Sequence, residues 1–348
     1  MKITPADLQW ASERGVLSPG QAEALWRALE ERHRHAPRFD GAHVAYYAGA
    51  LIVIGAMGWL ITKAWDALPG LALAGIAVGY AAVFVLASRW LWDRLQLRVP
   101  GGLLLTMAVC MTPLAIHGVL RQFGLWPQED PGGYSGFHVW VKGGWIALEL
   151  GTILAGLVAL RHRRFAFLTA PIAVALWYMS MDLTPLLFGG DREFGYEERR
   201  WVSLWFGLAM LVGGCAVDRR GRGDDFAFWL HLFGLLAFWG ALSMMNSGSE
   251  WGRFAYFAIN VGLILVALML RRTVYVVFGA IGCMGYLGYL AHRVFADSLL
   301  FPVALTALGL SLIALGVIYH RNRAQIETAL RGRMPAWVIG LLPERARG

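Results

Sequence analysis

Charge is what this chain has least of. Only 16% of its 348 residues are Asp, Glu, Lys or Arg, against about 25% in soluble domains. That deficit excludes an ordinary water-facing surface. It suits a lipid-facing one, where a charged side chain at the bilayer centre costs about 2.5–3.5 kcal/mol. Cysteine is scarce too. Cys110, Cys215 and Cys283 all sit in apolar stretches and none has a CxxC neighbour, so neither a disulfide framework nor a cysteine metal cage is implied. Residues 1–42 carry no apolar run of the kind a secretory signal peptide needs. No nucleophile–base pair, metal-ligand cluster or strand-preceded GxGxxG signature stands out, which points away from an enzyme and implies no cofactor and no metal.

Long apolar runs are what the chain has instead. Ten of them approach the roughly 20 residues that cross a hydrocarbon core. They fall near 43–63, 69–88, 100–120, 140–160, 165–187, 201–217, 225–245, 254–270, 273–291 and 298–319. Their composition is continuously apolar rather than alternating, so helices and not barrel strands are expected. The expected fold is an all-α polytopic helix bundle of about ten transmembrane spans. The gaps alternate in basic content. Of the 31 Lys and Arg residues, 23 fall on the side of the two ends, and Lys63, Arg121, Lys142, Arg192, Arg199, Arg200, Arg253 and Arg293 fall on the other. The positive-inside rule then puts both termini in the cytoplasm. Spread over many inner links, the net charge of +8 suits anionic lipid headgroups at the cytoplasmic face rather than nucleic acid. Trp59, Trp65, Trp126, Trp140, Trp145, Trp201, Trp205 and Trp251 near outer ends, and Trp90, Trp92 and Trp229 near inner ends, read as interfacial belts.

Three regions follow: a cytosolic helical hairpin over 1–42, the bundle over 43–319, and a tail over 320–348. In the hairpin, Thr4, Pro5 and Asp7 signal one helix start, Gly15 its stop, and Ser18, Pro19 and Gln21 a second start. The hairpin could bind a cytosolic protein or lie on the inner loops. In the tail, 334–342 is too short to span and reads as an interfacial helix anchored by Trp337.

These ends carry a likeness. Trp10, Glu13-Arg14-Gly15, Ser18-Pro19-Gly20-Gln21-Ala22 and Leu25-Trp26 lead through Phe39-Asp40 into Tyr46-Tyr47-Ala48-Gly49-Ala50-Leu51-Ile52. Together with Leu330-Arg331, Pro335-Ala336-Trp337 and Leu342-Pro343 they resemble the bacterial predicted membrane proteins grouped as domain of unknown function 2157. The resemblance covers about the first 150 residues and the tail. It implies a bacterial inner-membrane protein and brings no activity or site residues. Ten spans is also the count of drug/metabolite transporters, built as two inverted halves, but neither spans one and six nor spans one and seven show a convincing repeat.

Ionisable residues inside spans are the default functional candidates. His117, Glu149 and Asp182 lie in consecutive spans three to five, all toward the outer side: Glu149 about 13 Å deep and Asp182 about 8 Å from the edge at 1.5 Å per residue. Arg121, one turn past His117, could pair with either carboxylate. His231 and Asn260 form a second tier, His231 near the inner side. Pro113 and Pro171 are expected to kink spans three and five, and Gly75 with Gly79, and Gly279, Gly282, Gly285 and Gly288, to pack helices closely. Two functions compete. One is a transporter or channel for a small solute or ion, using the polar site of spans three to five. The other is a non-catalytic scaffold, assembly factor or sensor using the hairpin. A fluorescent-protein fusion at residue 348 should fluoresce and an alkaline phosphatase fusion there should be inactive; the reverse pattern would invert the topology.

Overall fold

A computed structural model describes residues 5–32, 41–126, 145–188, 196–220, 224–245 and 248–295, with isolated positions between 302 and 321. Among the described residues there is no strand. Seven helical stretches are long and apolar enough to cross a membrane, from Gly70–Arg94 to Thr273–Arg293, and two shorter apolar runs, Val44–Trp59 and Phe228–Met244, join them. These nine coincide with the first nine expected spans, and the protein is an all-α polytopic membrane bundle. The tenth expected span, the tail helix at 334–342, the Thr4 cap and most of the outer loop at 121–139 lie outside the described residues, as do Trp140 and residues 189–195 of the loop at 188–200.

The hairpin forms from local signals. Helices α1 (Pro5–Glu13) and α2 (Pro19–Arg32) are separated by Gly15 at φ +70°, a left-handed stop that costs glycine little. At the start of α2 the Ser18 N–H donates to Gln21 Oε1 at 3.1 Å and the Gln21 N–H to Ser18 Oγ at 3.3 Å. This reciprocal box satisfies two donors that a helix start otherwise leaves open.

The bundle follows the chain. α3 (Gly41–Ala67) packs mainly on α5. α4 (Gly70–Arg89), continued by a π-helical turn at Trp90–Arg94, packs on α5 (Arg98–Cys110) and α6 (Thr112–Gln122). Then α6 meets α7 (Trp145–His162), α7 meets α8 (Thr169–Phe188), and α8 meets both α9 (Tyr196–Arg220) and α10 (Phe228–Met244). α9 pairs with α10, and α11 (Glu250–Leu270) with α12 (Thr273–Phe295). One core lies among α4 to α7 around Leu73, Met107, Leu114 and Leu148; another joins α9 to α12 around Leu211, Leu235 and Leu263.

Polarity is arranged inside out. Ile52 is 72% exposed and Trp251 80%, whereas His117, Ser180, Thr184, His231 and Asn260 are wholly buried. Water would reject that surface; lipid accepts it. Two of the expected belt residues depart from the belt. Trp126 and Trp145 are buried in the first core, edge to face with ring centroids 4.8 Å apart. Each has ring partners inside the bundle, which outweighs a place among headgroups.

Close approach uses Gly279 and Gly282 of the expected glycines, and others besides. Gly75, Gly79, Gly285 and Gly288 have open space where a Cβ would sit. Gly118 instead lets α6 touch α4, since its Cβ would lie 2.6 Å from Ala74 N. Gly207 does the same for α9 and α10, 2.4 Å from Phe238 N, and Gly282 for α12 and α11, 2.0 Å from Asn260 Oδ1. The prolines split as well. Span three breaks at Met111 between α5 and α6, with Pro113 in the first turn of α6. Pro171 does not kink span five: a 3-10 turn at Ala166–Leu168 precedes α8, so Pro171 sits in its first turn, where no helical donor is lost.

Two buried polar clusters at opposite ends of the bundle

The end of α6, the start of α7, the end of α8 and the start of α9 meet at one end of the bundle, and three of the expected residues meet there with them. Glu149 of α7 and Asp182 of α8 join in a side-chain hydrogen bond, and the Arg199 guanidinium of α9 acts on Asp182. Both carboxyls are buried, at 8% and 4% exposure. Two ionised carboxylates have only acceptors to offer, so a hydrogen bond between them holds a proton. Glu149 Oε2 is buried with no hydrogen-bond partner among the described residues. Thr184 Oγ1, Glu198 Oε2 and Arg199 Nε are also buried without a partner among those residues, and all belong to this end.

Glu149 also lines a cavity of about 440 Å³ between α3, α5, α6, α7 and α8. Its walls are apolar, with Met57, Met107, Leu148, Phe167 and Val174 among them, and with Trp145 and Tyr178 as aromatic edges. Two threonines on the wall are self-satisfied: Thr106 Oγ1 donates to Gly102 O at 2.9 Å and Thr152 Oγ1 to Leu148 O at 2.7 Å. Among the described residues, Glu149 is therefore the one lining residue with a carboxyl or cationic group. Asp182, His117 and Arg121 stand off the cavity wall. His117 is wholly buried under Trp126, ring centroids 4.3 Å apart, and Trp126 in turn leans on Trp145. Arg121 is exposed; the cation beside Asp182 is Arg199.

The second-tier residues belong elsewhere. Asn260 ties three helices: Trp239 Nε1 donates to its Oδ1 at 2.9 Å and its Nδ2 donates to Tyr256 O at 2.8 Å. With both ends engaged and Gly282 pressed against it, Asn260 works as a packing lock. His231 sits in a chain that only its own position announced. Its Nδ1 lies 2.7 Å from Tyr275 Oη and its Nε2 3.1 Å from Asp218 Oδ2. Arg272 grips Asp218 with two bonds of 2.5 and 2.7 Å and Asp225 with two more of 2.7 and 3.2 Å.

The local sequence builds this chain. Gly214 leaves room for the imidazole, its Cβ position only 3.0 Å from His231 Cε1. Arg271 takes a left-handed φ of 54° to close α11, which turns the chain so that Arg272 faces the acids. Burial lowers the Arg272 pKa, but the hydrogen bonds and charges of Asp218 and Asp225 more than offset it and hold the pKa above the ordinary arginine value. Arg199 and Asp218 are both on α9, about 28 Å apart at 1.5 Å per residue, so the two clusters lie a hydrocarbon thickness from each other.

The Arg272 grip fastens the α11–α12 pair to α9 and α10. Removing one partner of a buried pair leaves the other charge stranded, at about 3–5 kcal/mol. Asp218→Asn should therefore lower the melting temperature of the detergent-solubilised protein sharply, and Asp93→Asn, whose ion pair with Arg163 is half exposed, should shift it little. Equal effects from the two would remove Arg272 from its structural role.

No curated protein and no solved structure matches the chain. Residues 9–119 match a family model described as "Predicted membrane protein (DUF2157)". That segment runs from α1 through α6 and ends before Glu149, and it is similar to the same family that the N-terminal motifs resemble.

Proposed function

We propose that the protein is a proton-linked carrier or channel for a small solute or ion, with Glu149 and Asp182 as its proton-holding pair. The observation that carries this reading is the concentration, at one end of the bundle, of buried polar atoms with no partner among the described residues, beside an apolar cavity that Glu149 lines. Buried polar groups without protein partners take water or solute ones. A carboxyl pair sharing a proton next to such a space is the arrangement that intramembrane proton relays use. Arg199 supplies the charge that keeps the singly protonated pair neutral.

The carrier sits in the bacterial inner membrane with both ends in the cytoplasm, following the split of basic residues. The carboxyl pair then faces the outer side and the Arg272 cluster the inner side, where its four-bond grip acts as the fastening against which the outer end moves. His117, packed under Trp126, and Arg121 at the rim border the site rather than line it.

A second reading, a scaffold, draws on the hairpin. Trp10 is 56% exposed and Leu25 40%, apolar surface of the kind a partner covers. Under that reading the carboxyl substitutions are silent and Trp10→Ser with Leu25→Ser is the damaging pair.

Reconstitution into liposomes loaded with a pH dye separates the two. A panel of amines, amino acids, sugars and organic acids is applied outside, and proton movement is recorded. At least one class should drive protons in the wild-type protein, and Glu149→Gln and Asp182→Asn should each abolish the signal. A wild-type protein that moves protons with none of them would overturn the carrier reading.

A further inference from the structure

The cavity's own chemistry narrows what it would carry. Its volume of about 440 Å³ falls in the range of roughly 300–1,000 Å³ for organic ligands. It is too large and too apolar for a bare metal ion, which needs several converging oxygens; Glu149 brings the one carboxylate. An organic anion would be repelled by that carboxyl, and no cationic side chain lines the wall to offset it. A sugar would find few open hydrogen-bond partners, because Thr106 and Thr152 already spend their hydroxyl protons on their own helices.

We propose that the cavity binds an amphipathic organic monocation, its apolar body against Met57, Met107, Phe167 and Val174 and its charged head at Glu149, in exchange for the proton held between Glu149 and Asp182. This rests on the carrier reading above and names its substrate class. The exchange balances. Before it, the singly protonated pair carries one negative charge against Arg199. The proton then passes to water, the pair carries two, and Arg199 and the bound cation match them. The groups that surround the exchanging proton are Asp182 on α8, Arg199 on α9 behind it, Tyr178 on α8 and Cys110 on α5 across the cavity, and His117 on α6 behind Trp126.

Tetraphenylphosphonium and tetraphenylborate, near-identical in shape and opposite in charge, test this on the detergent-solubilised full chain. Equilibrium dialysis reads binding, and a pH indicator in weak buffer reads proton release. The expected result is tetraphenylphosphonium binding with about one proton released per cation, weakened about tenfold or more in Glu149→Gln and unchanged in Glu250→Gln, which removes an exposed carboxylate at the start of α11, away from the cavity. Tetraphenylborate should not compete. Equal binding of the two ions, or phosphonium binding indifferent to Glu149→Gln, overturns the cationic substrate. Phosphonium that neither binds nor releases protons, while another solute drives protons in liposomes, also overturns the substrate class but leaves the carrier intact. If no solute drives protons either, both fall.

Discussion

Lipid offers no hydrogen bonds, and that constraint orders everything else in this molecule. Each polar group in the spanning region must find its partner inside the bundle. Most do so with their own helix: Thr106, Thr152 and Ser180 each donate to a carbonyl three or four residues back. Asn260 and Ser88 reach across to a neighbouring helix, and most of the others that cannot are gathered in two places, at opposite ends of the bundle. One place is saturated. His231, Tyr275, Asp218, Arg272 and Asp225 satisfy each other, with Arg272 spending four hydrogen bonds on two carboxylates. The other place is not: Glu149, Thr184, Glu198 and Arg199 each keep a buried atom without a partner among the described residues. A saturated cluster rigidifies, and the unsaturated one is what the carrier proposal rests on.

The contrast gives the bundle a physical asymmetry. Around the Arg272 cluster, α9 to α12 are fastened by charge, by Asn260 and by glycine contacts at Gly207, Gly214 and Gly282. Around the Glu149 cavity, Ser88 Oγ donates to Gly101 O and the Leu71 N–H to Gln122 Oε1, tying α4 to α5 and α6, and space is left between the helices that wall the cavity.

Much of this was legible in the chain. The spans were, because long apolar runs have no other use at this length. Glu149 and Asp182 were, because a carboxyl within such a run is rare enough to be noticed, and their neighbourhood followed from consecutive short-linked spans. The hairpin's start and stop were written in Ser18, Gln21 and Gly15. What sequence hid were the partners. Arg199, Asp218, Asp225 and Arg272 stand at span ends, where charges are ordinary, so nothing marked them as buried. The signal that could have found them is the acids: Asp218 and Asp225 sit among the arginines of a basic link, next to a histidine already inside a span. Trp126 and Trp145 misled for the same reason in reverse, since tryptophan at a span end reads as a headgroup anchor until its ring partners are seen. Glycine spacing misled too. Gly75 and Gly79 form the familiar pattern but face open space, whereas Gly207 and Gly214, seven apart, are the ones that touch Phe238 and His231 on α10.

The central claim is that Glu149 and Asp182 share a proton inside the membrane. Infrared difference spectroscopy of the reconstituted protein reads it directly through the C=O stretch of a protonated carboxylic acid. A band of that kind should be present at neutral pH and should vanish in Glu149→Gln, while Glu250→Gln, an exposed carboxylate at the start of α11, leaves it in place. A wild-type protein with no protonated carboxyl at neutral pH, or a band that survives Glu149→Gln unchanged, would contradict the account.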